Sequence, residues 1–84
     1  MALNMHERLV ISLYNPHRSG EIWYYTGTDS DGDIQVSTAL DDAEHFYTTG
    51  GAQNASKTIR KQIGEDTQVE FEKIKIKPRI YHRF

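Results

Sequence analysis

Six carboxylates crowd the middle of this chain: Asp29, Asp31 and Asp33 in the run GTDSDGD, then Asp41, Asp42 and Glu44. Acids alternating around a glycine suit calcium, a hard cation that takes several oxygen ligands. With Gly32 as the invariant glycine of a calcium loop, Asp29 and Asp31 fall at the third and fifth positions and Ile34 at the hydrophobic eighth. The first position is then Gly27, and the twelfth is Thr38 where a bidentate Glu belongs. Two ligands are missing. A hairpin turn accounts for the same residues, because Asp and Gly supply its unusual dihedrals.

Other chemistry is harder to find. His6, His17, His45 and His82 contain no pair spaced i+3 or i+4, as a helical metal site requires. No serine sits in a nucleophile elbow or beside a base. Gly50-Gly51 is a lone glycine pair rather than a phosphate loop, and turn chemistry explains it better than a bound phosphate. The chain has no cysteine, so it has neither a disulfide framework nor a thiolate metal site. These residue types predict no enzyme, no metal site and no cofactor.

Charge is the remaining signal. Residues 1–50 hold two bases against eight acids, and residues 51–84 hold eight bases against four acids. Such asymmetry can mark a partner surface, although both signs also decorate any small solvated domain. The acids Asp29, Asp31, Asp33, Asp41, Asp42 and Glu44 are candidate partner-binding residues, with Tyr24 as an aromatic anchor. The run KIKIKPRIYHRF at 73–84 interleaves cations with Ile, Tyr and Phe, which suits phosphates and stacked bases. It equally suits an edge strand whose lysines discourage aggregation. Nucleic-acid binding is therefore the alternative function, and the acidic half argues against it by repelling a duplex.

The elements that must position these residues read clearly in places. Leu9, Ile11 and Leu13 alternate with Val10, Ser12 and Tyr14, giving a strand over 8–15. Asn-Pro-His-Arg-Ser-Gly at 15–20 is a turn cluster. Residues 21–26 are β-prone, with Trp23 and Tyr25 expected inward. The turn at 27–33 leads to a third strand at 34–37. Leu40, Ala43 and Phe46 predict a short helix with Thr38 as its cap. Ala52, Ala55, Ile59 and Ile63 share one face of a longer helix capped by Thr48 and ended at Gly64. The last strand, 67–77, changes phase between Phe71 and Ile74, which predicts a bulge near Glu72-Lys73. The expected fold is a single α+β domain over 1–84: an antiparallel sheet of about four strands with a short and a longer helix on one face (β-β-β-α-α-β). The last strand is expected beside the first, and residues 1–7 and 78–84 to be less ordered. No signal-peptide layout and no apolar run of ~20 residues occurs, so a soluble, cytoplasmic protein is expected.

The run AEHFYTTGGA at 43–52 resembles a phrase, A-x-x-F-x-T-x-x-x-A, of small proteins from phages and other mobile elements, several of them anti-CRISPR proteins. The resemblance covers about a third of the chain. It implies that Phe46 packs under the sheet, Thr48 caps a helix and Ala52 starts the buried face. Gly50 and Gly51 depart from the usual acidic or helix-forming residues. The resemblance further implies a non-enzymatic inhibitor that occludes a host protein, for example a CRISPR effector, in the bacterial cytoplasm.

Overall fold

The computed structural model describes residues 3, 6–16 and 20–76. Among these residues one four-stranded antiparallel sheet carries a single α-helix. The strands are β1 (Glu7–Tyr14), β2 (Ile22–Thr28), β3 (Ile34–Ser37) and β4 (Gln68–Lys75), in the order β3-β2-β1-β4. The last strand thus lies beside the first. Helix α1 (Thr49–Gln62) packs across β1 and reaches β4. Among the described residues β1 has a strand on each side, and its Val10, Ile11, Ser12 and Leu13 are all buried.

The core follows from the two periodicities. Cross-strand partners share a face, and Ile11 pairs with Phe71 while Leu13 pairs with Val69 and Trp23. Ile11, Leu13 and Tyr25 meet Ile59 of the helix, with Phe46, Ala55, Ile63, Ile34 and Val69 packed around them. Fully burying a side chain such as Ile11 or Ile59 contributes about 1.5–3 kcal/mol. Ala52 and Ser56 are also buried on the helix, and the small side chains bring its backbone close to the sheet. Thr48 Oγ1 accepts from Gly51 N at 3.0 Å, so the N-terminal cap is as expected.

The segment 38–47 differs from expectation. Only Leu40–Asp42 is helical, as one 3-10 turn, and Ala43 is already extended. Phe46 forms a two-bond bridge with Leu9: Leu9 N donates to Phe46 O at 2.9 Å and Phe46 N to Leu9 O at 2.8 Å. Glu44 N donates to Tyr25 O at 2.8 Å. The β1–β2 register covers Ser12 to Tyr14, and the backbone around Leu9 is met by this segment instead. A helix of one or two turns is marginal alone, and pairing with β1 satisfies the same backbone groups better. Phe46 still reaches the core, stacking on Tyr25 with ring centroids 6.1 Å apart. Thr38 is not the cap. Ala39 holds that position without a side-chain bond, and Ser37 Oγ accepts from Ala39 N.

Three smaller corrections follow. The β1–β4 register runs unbroken from Glu7↔Lys75 to Tyr14↔Gln68, so there is no bulge near Glu72-Lys73. The phase change instead divides the apolar residues between faces: Val69 and Phe71 on the helix side, Ile74 opposite. The irregularity lies between Tyr25 and Gly27 in the β2–β3 pairing, where Gly27 takes φ 143°, strained for any side chain. Gly27 and Thr28 belong to β2, so the turn is shorter than 27–33. Helix α1 ends on an extended Ile63 rather than a left-handed Gly64. Glu7 opens β1, and the expectations for 1–7 and 78–84 otherwise fall mostly or wholly outside the described residues.

Candidate functional site

The β2–β3 turn is built by one of its own acids. Asp29 Oδ1 accepts from Asp31 N and Asp33 N, both at 2.9 Å, and Oδ2 accepts from Gln35 Nε2 at 3.0 Å. The backbone closes with Asp29 N donating to Asp33 O at 2.9 Å, and Gly32 at φ 88° permits the reversal. This is the hairpin turn, with the Asp29 carboxylate turned onto backbone N–H groups. The charge remains but its geometry is fixed.

At the other end of β3, Asp42 Oδ2 accepts from Ser37 Oγ at 3.1 Å, tying the 3-10 turn to the strand. Glu44 is carried back toward the hairpin by its backbone bond to Tyr25. Its Oε2 lies 3.6 Å from where a side chain on Gly27 would begin. Gly27 pairs with Gln35, which holds Asp29. Acids thus flank both ends of a four-residue edge strand, about 13 Å long at the usual rise. All six carboxylate residues are exposed. Asp29 and Asp42 serve the fold, whereas the carboxylates of Asp31, Asp33, Asp41 and Glu44 enter none of its hydrogen bonds or ion pairs among the described residues. Tyr24 pairs with Ser12 and Ser37, so it lies on the face opposite α1, and it is half-buried rather than protruding.

The basic strand is less free than its sequence suggests. Lys73 Nζ lies 3.2 Å from the Glu7 carboxylate across the β1–β4 pair. Lys73 and Lys75 share the helix-side face, while Glu70 and Glu72 share the other. Residues 77–84 lie outside the described residues.

A second feature was not legible in the sequence. Because α1 sits mainly over β1 and β4, the β2–β3 part of the same face is covered at Tyr25 and Ile34 but only partly at Trp23 and Val36. Trp23 and Val36, both inward by alternation, remain 38% and 41% exposed. With Leu13, Ile34 and Ile63 they line an open groove of about 810 Å³ beside the end of α1, which Glu21 and Asp66 border.

No family model, curated protein or solved structure matches this chain. No helix among the described residues is long and apolar enough to cross a membrane, and no group of three or more His, Asp or Glu is placed among them to hold a metal ion.

Proposed function

We propose that this chain works by binding rather than catalysis. It occupies a basic surface of a host nucleic-acid-processing protein, such as a CRISPR effector, in the manner of a phage-type inhibitor. The observation that carries the reading is the pair of acidic clusters at the two ends of β3. Asp31, Asp33, Asp41 and Glu44, in the segments flanking this edge strand, present carboxylates that the fold itself does not use among the described residues. A groove built for nucleic acid offers the complementary charge, and opposite potentials raise the rate of encounter. The resemblance of residues 43–52 to small mobile-element proteins supports the same class of partner.

The alternative, a small nucleic-acid-binding module working through β4 and residues 77–84, is weakened by the Lys73–Glu7 ion pair and by Glu70 and Glu72, which make the other face of β4 acidic. The test is affinity capture from nuclease-treated bacterial lysate with the parent chain and with Asp31, Asp33, Asp41 and Glu44 all changed to Lys. A protein retained by the parent and lost by the folded variant supports the proposal. Equal retention by both, or recovery of nucleic acid alone from untreated lysate, overturns it.

A further inference from the structure

The groove at Trp23 and Val36 and the basic segment after β4 are the two features that the proposed function leaves unused. Their chemistries are complementary. The described lining residues are apolar at the centre and carry carboxylates, with no Lys or Arg among them. Asp66 stands on one margin, and Asp33 precedes Ile34 in the chain. Residues 77–84, KPRIYHRF, hold Lys77, Arg79 and Arg83 with Ile80, Tyr81 and Phe84, and no acid. We propose that this groove receives residues 77–84 of a second copy of the chain, with an aromatic side chain seated against Trp23 and Val36 and a cation at Asp66.

The reach of the chain decides between the same copy and a second one. Lys75 stands level with Glu7, whereas the groove uses Leu13 and Asn15 at the opposite end of β1. That separation is about 20 Å along the strands and two or three strand spacings, about 10–14 Å, across the sheet, a straight line of about 23 Å. Eight residues span about 27 Å when fully extended. Within one copy the segment would spend its length on the crossing, and α1 lies over β1 and β4 in its path. A neighbouring copy meets no such limit. Because groove and segment are different surfaces, the contact is heterologous and gives either a reciprocal dimer or a growing chain of copies.

Trp23 is the one tryptophan of the sequence, so it reports on its own groove. The experiment is sedimentation equilibrium of the full chain over a wide concentration range, with Trp23 emission read on the same samples. The expected result is a mass that rises with concentration together with a blue shift of Trp23. High salt and excess synthetic KPRIYHRF peptide should both return the mass to that of one copy. Asp66→Lys and, separately, Tyr81→Ser should each weaken association about tenfold or more, a change of about 1.4 kcal/mol. Adding Arg79→Glu or Arg83→Glu to Asp66→Lys should recover part of it. A chain that stays monomeric with unchanging Trp23 emission overturns the proposal. So does association that survives both single variants, or a Trp23 shift that needs residues 77–84 but ignores concentration, which would place the segment in its own groove.

Discussion

Gln62 and Gly32 are joined across the fold. Gln62 Nε2 donates to Gly32 O at 2.7 Å, and the same amide accepts from Ile34 N at 2.9 Å through Oε1. The last helical residue thereby clasps both sides of the acidic turn. Removing two partly solvated bonds with Gln62→Ala should lower stability by about 1–2 kcal/mol. Gln62→Glu should be comparable, because it sets a carboxylate against the Gly32 carbonyl. Urea unfolding of both variants checks this, and no shift in either midpoint would contradict the clasp.

Phe46 joins the extended 38–47 segment to the core through Tyr25. It is half-buried, so Phe46→Ala should cost about 2–4 kcal/mol, below the full range for a closed core. Ile59 is fully buried on the sheet-facing side of the helix, and Ile59→Ala should cost about 2–5 kcal/mol. A loss below about 1 kcal/mol in either case would show that the residue does not pack as described.

Two threonines of similar sequence context separate a cap from a bystander. Thr48→Ala should cost about 1 kcal/mol, since Gly51 N loses its acceptor. Thr38→Ala should stay within about 0.5 kcal/mol, as expected for a surface change. Equal losses at the two positions in thermal unfolding would mean that Thr38 also caps a helix.

The acidic turn should be indifferent to calcium. Asp29 is committed to Asp31 N, Asp33 N and Gln35, and the loop lacks ligands at its first and twelfth positions. Thermal unfolding in millimolar calcium and in chelator should superimpose. A rise of several degrees with calcium would show a site.

Local patterns carried much of the fold into the sequence. The alternation of Leu9, Ile11 and Leu13, the spacing of Ala52, Ala55, Ile59 and Ile63, and the hydroxyl of Thr48 each act within a few residues, and the structure bears them out. The failures are non-local. Leu40, Ala43 and Phe46 have helical spacing, but the backbone of residues 44 and 46 is claimed by Tyr25 and Leu9, far away in the chain. Ile74 breaks phase because each face of β4 carries its own apolar residues, which a one-sided reading turns into a bulge. The candidate acids were legible as residue types. Their division into Asp29 and Asp42, which hold the fold, and the other four was not, because it depends on hydrogen bonds to Gln35 and Ser37. The groove was invisible for a related reason: alternation places Trp23 and Val36 inward, but only the position of α1 shows that both stay partly exposed.

The central claim is electrostatic capture of a basic partner by the margins of β3. Its most direct measurement is the association rate with the captured partner, taken across a salt series for the parent and for the Asp31, Asp33, Asp41, Glu44 to Lys variant. The account predicts a parent rate that falls steeply with salt, a variant rate lower by about tenfold or more at low salt, and convergence of the two at high salt. Parent and folded variant associating at the same, salt-independent rate would contradict it.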